Sequence, residues 1–142
     1  MSSDNSETRD RILDAAWTLL EERAGSGVRM SDIARQAGIS RQAVYLHFPT
    51  RAELLVALTR HIDRVKDTDK RLEASRSAAG GLERLDAFID AWGNYIPEIH
   101  GVARALIAMK DTDEAAAAAW DDRMQAVRHG LSLIHISEPT RQ

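Results

Sequence analysis

Residues 30 to 53 read MSDIARQAGISRQAVYLHFPTRAE, from Met30 to Glu53, and the pattern spells two short helices joined by a glycine turn, with a third helix opening behind them. Ile33, Ala34 and Ala37 recur at helical spacing in the first. Gly38 follows where the chain must turn left-handed, which glycine does without steric penalty. Ser40 is an N-cap for the second helix, which carries Val44 and Phe48 four residues apart on one face and leaves Arg41, Gln42 and Tyr45 facing outward. Pro49 ends that helix, and Thr50 with Glu53 forms the S/T-x-x-E capping box of the next.

One face of the second helix therefore packs and the other is free to read. Its first turn offers Arg41, Gln42 and Ala43, which suit the edges of base pairs in a major groove. Arginine forks onto guanine, glutamine pairs bidentately with adenine, and an alanine methyl meets a thymine methyl, a good pair being worth about 1–3 kcal/mol of discrimination. Tyr45, His47 and Arg51 are placed for phosphates, which set register without reading sequence. A helical hairpin with an alanine-glycine corner also serves proteins that never touch DNA. Charge favours DNA: from Val28 to Arg51 there are Arg29, Arg35, Arg41 and Arg51 against the single acid Asp32, in a chain of net charge −3. A local positive excess in an acidic protein is the footprint of an anionic partner.

Composition narrows the remaining classes. The chain has 142 residues, 44% of them hydrophobic, and no cysteine, so it buries a core but holds neither disulfides nor thiolate metal sites. No run approaches the roughly 20 apolar residues of a membrane helix, and the start, MSSDNSETRD, is polar and acidic, which reads as a cytoplasmic protein. The histidines, His47, His61, His100, His129 and His135, include no HExxH pair, and there is no GxSxG or phosphate-cradling glycine loop, so nothing points to an enzyme, a cofactor or a metal. Asp111, Asp113 and Glu114, and again Asp121 and Asp122, read as helix-start charges and solvated faces.

The rest of the pattern is helical, and the fold class expected is all-α. Leu54, Leu55, Leu58, Ile62 and Val65 carry the helix opened by Thr50, which is expected to run to about Leu72. Residues 75–81, with Ser77, Gly80 and Gly81, read as a linker. Leu82, Leu85, Phe88, Ile89 and Trp92 then form an amphipathic stripe that Gly93 and Pro97 interrupt, before a shorter helix from Glu98 to Met109. Asp111 to Asp113 supplies capping chemistry, and Ala115 to Ala119 leads through Trp120, Met124 and Val127 toward His129.

ILDAAWTLLEER at Ile12 to Arg23, followed by MSDIARQAGISRQAVYLHFPTRAELL, resembles the N-terminal domain of the TetR family of transcriptional regulators. The resemblance covers about Thr8 to Leu58. It implies a homodimeric repressor that sets a helix-turn-helix of each subunit in successive major grooves of a near-palindromic double-stranded operator. It assigns Arg41, Gln42 and Ala43 to base reading and Tyr45, His47 and Arg51 to the DNA backbone, with the cap residues Ser40 and Thr50 at the same surface. Two features depart from the family. Ala24, Gly25, Ser26 and Gly27 stand where a glycine-aromatic step is common, and Arg29 stands where a Ser or Thr often caps the second helix, adding a candidate phosphate contact.

In the family a helical body holds a small-molecule effector. Trp92, Tyr95, Met109, Trp120 and Met124 are the candidate pocket residues, bulky and on interior stripes, and they suit an apolar or aromatic ligand. The effector would move the bridging helix, Thr50 to about Leu72, and change the separation of the two recognition helices. A near-complete switch needs the ligand to prefer the non-binding state by about 5.5 kcal/mol. The other class compatible with the residues is a helical interaction or ligand-sensing module that does not bind DNA.

Ser132 to Arg141, SLIHISEPTR, breaks the alanine-rich style before it and matches, residue for residue, the translation of a transposase adapter used in preparing sequencing libraries. The expected organisation is thus a disordered arm (1–7), a helix-turn-helix DNA-binding domain (8–54), a partial effector-binding and dimerisation domain (55–131) and a non-native tail (132–142). The last two helices that form most of the family's dimer interface are expected to be missing, which leaves dimerisation weak and concentration-dependent.

Overall fold

Local chemistry sets the helix boundaries in the computed structural model, which describes residues 2–24 and 27–134. The elements are α1 (Ser2–Arg23), α2 (Met30–Ala37), α3 (Arg41–His47), α4 (Arg51–Val65), α5 (Thr68–Arg71), α6 (Glu73–Ser77), α7 (Gly81–Met109) and α8 (Glu114–Ser132). No strand occurs among the described residues.

Gly38 sits at φ 74 and ψ 29. Its N–H donates to the Arg35 carbonyl at 3.2 Å and the Ile39 N–H to the Ala34 carbonyl at 3.0 Å, the paired bonds of a Schellman ending. A Cβ at Gly38 would meet nothing within 4 Å, so Gly38→Ala carries backbone strain alone. The expected loss is about 1–2 kcal/mol of stability in urea melts, and an unchanged midpoint would contradict the strain account.

Ser40 Oγ accepts from the Ala43 N–H at 3.0 Å and opens α3. The box that opens α4 is reciprocal: the Glu53 N–H donates to Thr50 Oγ1 and the Thr50 N–H to the Glu53 carboxylate, each at 3.1 Å. Where Arg29 replaces a capping Ser or Thr, the cap comes from the other side. The Asp32 carboxylate accepts the Arg29 N–H at 2.9 Å and pairs with Arg23 at 3.1 Å. The Arg29 amide holds this carboxyl below its ordinary value; burial opposes it, and Arg23 and Arg35 reinforce it.

One buried cluster joins all the long elements. It runs from Ile12, Leu13 and Leu20 of α1 through Ile33, Val44 and the α4 residues Leu54, Leu55 and Leu58 to Leu106 of α7 and Ala116 and Ala119 of α8. The expected domain boundary at residue 54 therefore cuts between Leu54 and Leu55, 0% and 1% exposed. The α4 helix packs on α1 and α8 together. His61 of α4, itself buried, lies 2.8 Å by Nε2 from Asp14 of α1 and edge-on to Trp17.

Several sequence expectations are corrected. The bridging helix ends at Val65, not near Leu72, because Asp67 adopts φ 59, a left-handed conformation that aspartate tolerates better than most residues. Residues 75–81 are not a simple linker: Ser75 is buried in α6 and its hydroxyl donates to the Arg84 carbonyl at 2.8 Å. Gly93 and Pro97 do not break the stripe, and α7 runs unbroken through both. Pro97 removes its own bond to the Gly93 carbonyl, but both residues are exposed, where water can serve that carbonyl. Ser2 to Glu7 form the first turns of α1 rather than a disordered arm. The run lacks glycine and proline, and Asp4 suits a helix N-terminus. The expected tail begins inside the last turn of α8, where the Ser132 hydroxyl donates to the His129 carbonyl at 2.6 Å. Met1 and residues 135–142 lie outside the described residues.

Candidate nucleic-acid interface

Packing of Val44 and Phe48 into the core turns the opposite side of α3 to solvent. Arg41 and Gln42 are exposed, Ala43, Tyr45 and His47 half-buried. The Arg41 guanidinium lies 5.4 Å from the Tyr45 ring centroid, a cation–π contact that holds both at the start of the helix. On the inner side Arg9 of α1 covers the Phe48 ring at 5.0 Å. Ser40 and Thr50 are exposed, with their hydroxyls already accepting cap bonds.

A groove of 1040 Å3 runs beside this helix, lined by Arg29, Arg41, Tyr45, Arg51, Met109 and Asp113 among others. Arg51, which the resemblance implies at the DNA backbone, is engaged across it. Its Nε and Nη2 donate to Asp113 Oδ2 at 3.2 and 2.9 Å, and both side chains are 24% exposed. Asp113 also caps α8, accepting from Ala115 at 3.0 Å and Ala116 at 3.4 Å. Burial alone would push its carboxyl up; Arg51 and these two amides outweigh it and hold the carboxyl below the ordinary value. Arg51 thus straps the start of α4 to the start of α8, a long-range contact invisible in the local pattern.

The candidate pocket residues are only partly brought together. A cavity of 580 Å3 is lined by Leu72, Arg84, Phe88, Trp92, Arg123 and His129 among others. Trp92 reaches it. Tyr95, 1% exposed, lies behind, its ring 5.6 Å from Trp92 and its phenol donating to Asp63 at 2.7 Å. Burial raises the Tyr95 pKa well above its ordinary value, with Asp63 adding and Arg71 opposing. Met109, by contrast, is buried in the main core beside the α3 groove, Trp120 packs against that core, and Met124 is half-buried off the cavity. Phe88, one turn before Trp92, is the lining residue that its shared stripe made findable. Trp92 Nε1 and Thr68 Oγ1 are buried without a hydrogen-bond partner among the described residues. The floor is tied down by ions: Arg123 pairs with Asp63 and Asp122, and Arg60 of α4 with Asp122 at 2.8 Å. Asp122, read from the sequence as a solvated charge, is therefore a partner of two arginines.

The profile described as "Bacterial regulatory proteins, tetR family" matches residues 12–58, the segment that builds α1 to α4 around the shared core. The chain belongs to the TetR family. It is 31% identical over 114 residues to the HTH-type transcriptional regulator CymR of Pseudomonas putida, covering 77% of this chain and 54% of that one. It is 37% identical over 119 residues to the HTH-type transcriptional regulator AlkX of Mycobacterium tuberculosis, covering 75% and 54%. Among solved structures it resembles native NalD of Pseudomonas aeruginosa, the secondary repressor of the MexAB-OprM multidrug efflux pump, with TM-score 0.56 and 26% identity over 89% of this chain and 64% of that one. The chain thus spans about half the length of these TetR-family relatives. The named relatives are regulators, no helix of the described residues is long and apolar enough to cross a membrane, and no metal-binding cluster of acids and histidines occurs among them.

Proposed function

We propose that this chain is the DNA-binding part of a cytoplasmic transcriptional regulator, a homodimeric repressor that leaves a near-palindromic operator when a small-molecule effector binds. The observation that carries the reading is the solvent-exposed surface of α3. It presents Arg41 and Gln42 beside the half-buried Ala43, on a helix anchored in the core by Val44 and Phe48. Arg41, Gln42 and Ala43 read base edges, while Tyr45, His47 and Arg29 hold phosphates. Ser40 and Thr50 serve by fixing the helix ends. The effector site is the cavity at Trp92, and Trp92 Nε1, a buried donor without a partner among the described residues, suits an aromatic or apolar ligand that brings a hydrogen-bond acceptor.

Fluorescence anisotropy with duplexes enriched from a randomised library tests this. Tyr45→Ala is expected to weaken binding to every duplex, and Gln42→Ala to relax preference at one or two base pairs at a cost of about 1–3 kcal/mol. Binding that ignores both substitutions would remove the reading.

A further inference from the structure

Leu46 is 80% exposed, the highest value among the exposed large hydrophobic side chains, and it stands on the helix that carries the proposed base-reading residues. A single exposed leucine is ordinary on a protein surface; its angular position is not. Stepping about 100° per residue around a helix, Leu46 points about 180° from the midpoint of the core-facing pair Val44 and Phe48. Gln42 lies about 40° to one side of it and Ala43 about 60° to the other by the same step. The outward face of α3 is therefore centred on a leucine, with an amide on one flank and a methyl on the other. Arg41 and Tyr45, stacked on each other, lie farther round the helix, about 140° and about 100° from Leu46 by the same step.

A groove floor that receives this face meets Leu46 first, and an apolar group there takes it out of water. In the DNA major groove the apolar group on a base edge is the C5 methyl of thymine. We propose that Leu46 is a base-reading residue that packs on a thymine C5 methyl, next to the A·T pair that Gln42 holds by its amide. The inference rests on the DNA-binding reading above and adds the chemistry of the site it reads: each half-site contains a thymine recognised through its methyl group. Leu46 and Ala43, three residues apart, form a small apolar ridge along the groove, so the contact excludes water rather than forming a hydrogen bond. In the sequence a leucine between Tyr45 and His47 reads as filler until its exposure is known.

The test separates this inference from the reading beneath it. Duplexes that the full chain enriches from a randomised library are remade with each thymine replaced, one at a time, by deoxyuridine, which removes only the methyl. Wild-type protein is expected to bind about fourfold more weakly at the position in each half-site that Leu46 reads, the worth of burying one methyl group. With Leu46→Ala the penalty is expected to vanish at that position and to remain at any thymine read by Ala43, while the melting curve of the protein stays that of the parent because the side chain is already in water. Uracil tolerated at every position, or a set of uracil penalties that Leu46→Ala leaves entirely unchanged, overturns the inference while DNA recognition stands. A library that enriches no sequence overturns both.

Discussion

Leu58→Ala is expected to lower the unfolding free energy by about 2–5 kcal/mol, a large share of the about 5–15 kcal/mol that holds an ordinary domain together. Leu58 is 0% exposed and belongs to a cluster that includes residues of the helix-turn-helix, α7 and α8. Truncating it leaves a void that close-packed neighbours refill only in part, so the loss exceeds simple transfer to water. Because α4 contributes to one continuous core, the two halves of the chain should unfold together. Urea melts followed by far-ultraviolet dichroism and by tryptophan emission test this through coincident transitions, both shifted to lower urea in the variant. A helix-turn-helix that survives after the tryptophans of the body are released would refute the single core. The same substitution at Leu46, on the far side of the recognition helix, should leave the melt unmoved.

Asp113→Ala is expected to cost about 2–4 kcal/mol, since it removes the N-cap of α8 and strands the half-buried Arg51 guanidinium without its anion. Asp113→Asn keeps the cap and loses the charge, so its cost should be smaller. The pH dependence follows from the lowered carboxyl. A carboxylate whose folded value lies below its unfolded value of about 3.9 stabilises the protein above that pH, and the contribution is lost as pH falls through the folded value. Melts of wild type and Asp113→Asn should therefore begin to converge as pH falls below about 4 and meet only below the folded value. Curves that stay parallel would argue against the ion pair. The pair also decides what Arg51 does. Held by Asp113, it should leave the salt dependence of DNA binding unchanged when replaced by alanine, whereas loss of a phosphate-neutralising arginine flattens the slope by about 0.9.

Much of the site was legible because its determinants are short-range. Gly38, Ser40 and the Thr50–Glu53 box act within a few residues, and the spacing of Val44 and Phe48 fixes which face of α3 is inward. Helix ends governed by weaker signals are not legible in the sequence. Pro97 looked like a break, yet a proline on the solvent side of a long, otherwise well-packed helix costs only one bond that water replaces. Val65 to Leu72 looked continuous, yet no residue type forbids a left-handed aspartate at 67. The pocket was the least legible part. Trp92, Met109 and Trp120 all sit on apolar stripes, and the stripes alone do not say that Met109 and Trp120 face the common core while Trp92 faces a cavity.

By itself the amino-acid sequence determined the all-helical class, the hairpin of α2 and α3, and the inward face of α3 at Val44 and Phe48. Each rests on capping and periodicity, interactions that close within one or two turns, while the family was legible from the motifs between Ile12 and Leu58. Only the tertiary structure decided that Arg51 belongs to Asp113, that Asp122 is shared by Arg60 and Arg123, and that α4 has no boundary at residue 54. Arg51 and Asp113, and likewise Arg60 and Asp122, lie 62 residues apart along the chain. Packing brings them together through burial of apolar faces, and a pattern of local spacings contains no record of which faces will meet.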